Sequence, residues 1–179
     1  MREDRALLRR LGRGDQDALR LIYQKFKDDL ITVAFCLLGD LAAAEDCLHD
    51  VFVNFAFRAR NLRLRSNLKG YLTTCVANRA RDLLRAGVRL VSLDGLEQVL
   101  PAKGNPSQET SDREETARLV RAMLQLPREQ REVITMHLYG RLKFRQIAEQ
   151  FAMSINTVQS RYRYGIDKLR KLLDAGEAR

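Results

Sequence analysis

The sequence predicts an all-α protein made of two small helical domains joined by a flexible linker. Apolar residues recur at helical spacing in both halves of the chain, and no stretch shows the two-residue alternation of a half-buried strand. Between the halves lies "VSLDGLEQVLPAKGNPSQETSDREE", which is rich in turn-forming residues and has little periodicity. We therefore place domains at 1–88 and 113–179 and the linker at 89–112.

Helical patterns cover the first domain. After a short N-terminal helix, Asp15 is suited to cap a second one. Residues 30–38 are apolar on most faces, as in a helix at the centre of a bundle, and Gly39 is expected to end it. Two further helices are predicted over about 42–59 and 71–85.

The second domain is predicted to be helical as well. A helix over about 116–125 is followed by Pro127, which suits the first turn of another helix. Residues 146–165, "QIAEQFAMSINTVQSRYRYG", then read as two short helices joined by a turn. A basic, leucine-containing helix completes the chain.

Composition limits the class of protein. The 179 residues are 45% hydrophobic, enough for packed cores, and no apolar run approaches the length of a membrane span. The opening "MREDRALLRR" carries charges where a signal peptide would be apolar. The three cysteines form no CxxC pair, which is typical of buried thiols in a reducing compartment. We expect a cytoplasmic protein that is not inserted in a membrane.

The helix pair at 146–165 has the pattern of a helix-turn-helix. Ala148 is small enough for two helices to approach closely, and Ser154 is placed to cap the second helix. That helix would expose amides, hydroxyls and arginines, which can bind base edges and phosphates in a major groove. The formal charge of +9 favours such a polyanionic partner. The alternative is an ordinary helical hairpin with a solvated polar face.

An acidic segment occupies the first domain. Six carboxylates and no Lys or Arg lie between Lys27 and Arg58. Asp46 and Asp50 are one helical turn apart, with His49 on the same side. Such a face repels DNA and favours a basic protein surface, although a merely solvated face would look the same. No metal site is predicted there, because no further His or Cys completes the ligand set.

A basic run follows the acidic segment. Its eight cations are expected to face a single acid, Asp82, and the aromatics Phe55, Phe57 and Tyr71 are interleaved with them. Cations beside aromatic rings can hold single-stranded nucleic acid by phosphate contact and base stacking. The alternative is that the aromatics belong to the core, which we prefer for Phe55. The cations are Arg58, Arg60, Arg63, Arg65, Lys69, Arg79, Arg81 and Arg85.

No catalytic set and no cofactor-binding motif are recognisable, so we predict neither an enzyme nor a cofactor. Two alternatives stay open at this point. One is a stand-alone transcriptional regulator that uses only the helix-turn-helix. The other is a nucleic-acid enzyme, such as a metal-dependent nuclease using the acidic segment.

These stretches, in this order, resemble a bacterial RNA polymerase sigma factor of the extracytoplasmic-function group. "GDQDALRLIYQKF", "LLGDLAAAEDCLHDVFVNF" and "LKGYLTTCVANRARDLLR" are similar to region 2. "LPREQREVITMHLYGRLKFRQIAEQFAMSINTVQSRYRYGIDKLRKLL" is similar to region 4. The resemblance implies a protein that binds core RNA polymerase, captures the melted −10 element and reads the −35 duplex. It also implies an anti-sigma factor as a further partner.

The resemblance assigns three groups of residues. The polymerase-binding positions are Asp46, His49 and Asp50. The positions for the −10 element are Arg63, Arg65, Asn67, Lys69, Tyr71, Asn78, Arg81 and Arg85. The positions for the −35 element are Ser154, Asn156, Thr157, Gln159, Ser160, Arg161 and Arg163. Gln159 stands where the family usually has a basic residue, and Tyr164-Gly165 replaces its usual Arg-Ala.

Overall fold

All regular secondary structure in the described part of the computed structural model is helical, which confirms the all-α prediction there. The structure describes residues 2–62, 67–86 and 106–177. In chain order the elements are α1 (Arg2–Gly12), α2 (Gln16–Leu38), α3 (Leu41–Arg58), a 3-10 turn (Ala59–Asn61), α4 (Leu68–Arg85), α5 (Pro106–Leu124), α6 (Arg128–Leu138), α7 (Phe144–Gln150) and α8 (Ile155–Glu177).

The predicted caps of α2 are confirmed, α3 lies within one residue of its predicted bounds, and α4 begins at Leu68, three residues before the predicted start. The side chain of Asp15 accepts a hydrogen bond from the Ala18 amide at 3.2 Å, and Asp40 caps α3 in the same way. Gly39 ends α2 with φ 76°, a left-handed conformation that glycine adopts without steric cost. Helices α3 and α4 pack against α2 and against each other, and α1 packs on α2.

The second half is built around α6 and α8. Val133 and Ile134 of α6 are fully buried, and α8 packs against α5, α6 and α7. Gly165 has no Cβ, and a Cβ at this position would lie 2.7 Å from Ile134 Cδ1. The departure from the family's pattern at this position therefore permits a close approach of α8 to α6.

Helix α5 begins earlier than the sequence pattern indicated. We placed residues 106–112 in the linker, and their backbone is helical from Pro106 onward. Proline suits a first helical turn, and the acids that follow it are favourable near a helix N-terminus. The polar composition of this stretch concealed the helix, because little of it is apolar enough to show periodicity. Residues 87–105, most of the predicted linker, lie outside the described residues.

The two halves are in contact. Helix α6 packs against α2 and α4, and α5 packs against α2. The buried apolar residues of both halves form one continuous cluster. Arg131 of α6 donates to the Leu37 carbonyl of α2 at 3.3 Å, and burial is the main influence that lowers the pKa of Arg131. In the described part of the chain, no helix is both long and apolar enough to cross a membrane.

We predict that Phe35→Ala destabilises the protein far more than Phe57→Ala. Phe35 of α2 is fully buried, so its removal should cost about 3–5 kcal/mol of unfolding free energy. Phe57 is 83% exposed, and its removal should change that free energy by no more than about 0.5 kcal/mol. Urea unfolding followed by circular dichroism measures both. Equal losses would show that α2 is not the core helix.

Candidate nucleic-acid interface

A large groove lies between α2 and α3. Its volume is about 1020 Å³, and its walls are mainly apolar. Asp46 and His49, both exposed, line it together with Asp28 and Glu45. Exposed apolar side chains also line it: Tyr23, Val53 and Phe57. Arg20 and Lys27 line it as well, so the groove combines three carboxylates and two cations with uncovered apolar surface, which suits an amphipathic protein segment.

Asp50 does not line that groove and instead forms an ion pair with Arg79. Its Oδ2 accepts from Arg79 Nη2 at 2.7 Å and from Arg79 Nε at 2.9 Å. Both side chains are about two-fifths exposed, so the pair links α3 to α4 without being sequestered from solvent. Of the three predicted polymerase-binding residues, the structure therefore brings Asp46 and His49 to one groove and engages Asp50 elsewhere.

Three of the six described cations of the predicted basic run, Lys69, Arg79 and Arg81, pair with acids distant in sequence. Lys69 Nζ lies 2.7 Å from Asp29 Oδ2, and Arg81 pairs with Glu132. Arg85 lies 3.9 Å from Asp82, with both side chains exposed. The expectation that Asp82 is the single acid facing this run is therefore wrong, because folding brings Asp29, Asp50 and Glu132 to it. Arg63 and Arg65 lie outside the described residues.

Asn67 contributes to the fold directly. Its Oδ1 accepts from the Gly70 amide at 2.6 Å and caps α4. The cap fixes the start of α4 at Leu68, and four of the residues after it, from Tyr71 to Arg85, are predicted to contact the −10 element. A structural role for Asn67 is thus established, whereas its contact with DNA stays a prediction.

A smaller cavity of about 250 Å³ lies between α3 and α4. Tyr71 and Asn78 line it, so two of the predicted −10 residues share one site. Burial raises the pKa of Tyr71 to about 12, which keeps its hydroxyl protonated at neutral pH. Phe55 is buried, as we preferred. The other lining residues are Val51, Asn54, Arg58, Cys75, Arg79 and Asp82.

Phe57 does not belong to this cavity. It lies on the wall of the α2–α3 groove, together with Asp46. Its stacking role stays a prediction, and Phe55 and Phe57, two residues apart in the sequence, lie on opposite sides of α3. Among the described residues, no group of three or more His, Cys, Asp or Glu side chains could hold a metal ion.

The helix-turn-helix is formed by α7 and α8. Ile147, Ala148 and Val158 are buried between these helices and α6 or α5. The turn contains Ala152 with φ 50°, and Ser154 then accepts from the Thr157 amide at 3.0 Å. The turn and the cap together set the direction in which α8 leaves α7.

The predicted −35 residues occupy the first three turns of α8 and its cap. Ser154, Asn156, Thr157, Gln159 and Arg163 are exposed, and Ser160 and Arg161 are half-buried. Arg161 lies 3.7 Å from Met153 Sδ, and the Arg163 guanidinium lies 5.0 Å from the centroid of the Tyr164 ring. The helix therefore presents a continuous polar and cationic face to solvent, as a major-groove reader requires.

Two functional neighbours were not identified from the sequence. Glu132 of α6 and Phe151 at the end of α7 both contact Arg81 of α4. Glu132 and Arg81 are 51 residues apart, and no periodic pattern relates them. The available signal was Glu132 itself, an acid beside the apolar residues of α6 that would need a charged partner if buried.

Comparison with known families gives two matches in chain order. The family described as "Sigma-70 region 2" matches residues 22–89, and "Sigma-70, region 4" matches residues 116–169. The chain is 26% identical over 174 residues to the "ECF RNA polymerase sigma factor SigK" of Mycobacterium ulcerans, covering 95% of this chain and 93% of the relative. It is 24% identical to the "ECF RNA polymerase sigma factor SigW" of Bacillus subtilis, covering 93% and 94%.

Solved structures share the fold. CnrH in complex with the cytosolic domain of CnrY matches with a TM-score of 0.67 at 22% identity, over 96% of this chain and 97% of the other. The sigma factor RpoE in complex with the anti-sigma factor NepR from Bartonella quintana matches with a TM-score of 0.62 at 20% identity, over 86% and 96%. The order of the two matched regions, the end-to-end likeness to both relatives and the exposed reading helix together place this chain in the sigma-70 family, within its extracytoplasmic-function group.

Proposed function

We propose that this sigma factor binds core RNA polymerase through the α2–α3 groove, reads −35 duplex with α8 and captures melted −10 DNA on α4. One observation carries the proposal: a single chain presents a mainly apolar groove with a small excess of carboxylates on one half and an uncovered helix-turn-helix on the other. The first surface suits a basic protein and the second suits duplex DNA. The protein directs transcription to promoters because it joins these two partners.

Binding at the polymerase surface is assigned to Asp46, His49 and the groove they line. The carboxylate of Asp46 supplies charge, and the exposed rings of Tyr23 and Phe57 supply apolar area. Apolar burial favours association irrespective of salt, whereas the exposed carboxylate contributes mainly to orientation and rate. Asp50 adds to this surface only when its pair with Arg79 is rearranged.

Capture of the opened strand is assigned to the cavity between α3 and α4 and its surroundings. Tyr71 offers a ring and a protonated hydroxyl, and Asn78 offers an amide that can both donate and accept. Cations such as Lys69 and Arg85 hold phosphates at its edge. The chain makes and breaks no covalent bond in this mechanism, and binding energy alone stabilises the open promoter.

The proposal also assigns a function to each domain and a location to the protein. We assign polymerase and −10 binding to residues 1–88 and −35 binding to the domain that we placed at 113–179. The helical start at Pro106 favours an earlier beginning for the second domain. We also propose a cytoplasmic location and restraint by an anti-sigma factor, since RpoE of Bartonella quintana was solved in complex with one.

The direct test is run-off transcription with purified core polymerase on promoter fragments from the source organism. Promoter-specific transcripts should form only when this protein is added. Binding to promoter DNA should weaken steeply as salt rises, because phosphate contacts release counterions. DNA binding without any polymerase-dependent initiation would instead support the stand-alone regulator.

We predict that Asp46→Lys reduces affinity for core polymerase at least tenfold while leaving duplex binding by α8 unchanged. The substitution places a cation where a basic partner surface is expected. Asp17→Lys is the matched control, because Asp17 is an exposed acid of α2 that does not line the groove. Fluorescence anisotropy with labelled protein measures both affinities. Equal losses for the two variants would reject the groove as the docking site.

We predict that Gln159→Lys changes the preferred −35 sequence more than the overall affinity. Gln159 is exposed on the first turns of α8, where an amide can contact a base edge. Selection of binding sites from a random duplex library would reveal the shift. Lys168→Gln, at an exposed position farther along α8, serves as the control. A uniform change for all sequences would show that Gln159 does not contact bases.

A further inference from the structure

Helix α1 carries a row of arginines on one side. Arg5, Arg9 and Arg13 are each four residues apart, so successive members lie about one helical turn from each other. Arg13 continues the last turn of α1, because its amide donates to the Arg10 carbonyl at 3.0 Å. All three residues of this arginine row are exposed, whereas Leu7 of the same helix is buried. The arginine row therefore faces solvent.

The carboxylates nearest to α1 in the sequence are bound by other cations. Glu3 and Asp4 accept hydrogen bonds from Lys25 Nζ of α2, at 2.6 and 2.9 Å. Asp15 accepts from Arg10 Nε at 2.8 Å. Within residues 2–62, 67–86 and 106–177, the arginine row forms no ion pair. Its charge is thus left uncompensated by the described part of the fold.

Folding of α1 does not account for the arginine row. Like charges four residues apart repel each other and destabilise a helix. The helix dipole favours cations in the last turn, where Arg9 lies, but Arg5 is in the middle of α1 and gains little from it. A polyanionic partner would account for the whole row, because it would compensate all three charges at once.

The arginine row ends beside the segment that leads to the predicted −10 residues. Gly12 of α1 packs on the 3-10 turn, since a Cβ there would lie 3.5 Å from the Ala59 carbonyl oxygen and 3.7 Å from Arg60 Cα. Arg60 is exposed and forms no ion pair with the described residues. The chain then continues to Asn67, the cap of α4. Tertiary structure therefore places a fourth free cation next to the row, on the side of the −10 residues.

We propose that the arginine row and Arg60 form a phosphate-binding surface, which holds the DNA backbone flanking the −10 element without reading its sequence. The proposal rests on the assignment of α4 to the −10 strand. The row is about 12 Å long, and one DNA strand carries a phosphate about every 3.4 Å along the duplex axis, so the row can span roughly three to four phosphates. The surface supplies only cations, which position DNA but carry no sequence information.

The test compares full-length wild-type protein with a triple variant that carries Arg5→Gln, Arg9→Gln and Arg13→Gln. Each is assembled with core polymerase on a fluorescent promoter fragment that the wild-type protein transcribes. Glutamine removes the charge and keeps a similar helix propensity. The slope of log affinity against log salt concentration should become shallower by about 2–3 in the triple variant, because each phosphate contact contributes about 0.9 to it.

Single variants separate the arginine row from the net charge of α1. Arg9→Gln should make the slope shallower by about 0.9. Arg10→Gln is the matched control and should change it much less, because it removes the same charge from the same turn but its guanidinium is bound to Asp15.

Lysine at all three positions of the row should restore the slope, since a phosphate contact needs the charge and not the planar guanidinium. Circular dichroism verifies that each variant is folded. Should the triple variant lose its helical signal, the comparison of Arg9→Gln with Arg10→Gln decides the matter.

Three results would overturn the proposal. The first is an unchanged slope in the folded triple variant, and the second is an equal change of slope for Arg9→Gln and Arg10→Gln. The third is a triple variant that loses affinity for core polymerase itself, which would identify an acidic protein surface as the partner of the row. Failure of the proposed function looks different, because wild-type protein would then give no promoter-specific transcript with core polymerase. An active protein with an unchanged slope would reject only the phosphate-binding surface.

Discussion

Burial of the C-terminal part of helix α2 on every side is the constraint from which the rest of the architecture follows. From Leu30 to Leu38 all but one of its residues are buried, so no single neighbour can cover it. Helices α1, α3 and α4 cover part of its surface, and α5 and α6 of the second half cover more. The free energy of burying this helix therefore supports the contact between the halves as well as the first bundle.

The electrostatic organisation follows from that contact. A basic chain with a formal charge of +9 could expose all its cations to DNA, yet several are held by carboxylates in this arrangement. Arg79 is bound by Asp50, Lys69 by Asp29 and Arg81 by Glu132. Exposed pairs of this kind are weak and yield readily to phosphate, whereas the buried Glu132 pair resists.

The two halves present their functional surfaces differently. The groove between α2 and α3 leaves Phe57 almost fully exposed, and α8 leaves its amides and arginines in solvent. Both surfaces are ready for a partner without rearrangement. The face of α4 is the exception, because the same side of this helix that carries Arg81 is packed against α6.

Much of the fold could be read from the sequence, since helices are specified locally. Side-chain spacing marked the helices, and Asp15, Gly39 and Ser154 marked their ends through hydrogen bonds within a few residues. The exposed polar face of α8 was predictable for the same reason. The start of α5 was not, because a polar helix has no apolar stripe. The pairing of the cations depended wholly on tertiary structure. Arg79 meets Asp50 across 29 residues and Arg81 meets Glu132 across 51, and only the packing of α3, α4 and α6 brings those charges within hydrogen-bonding distance.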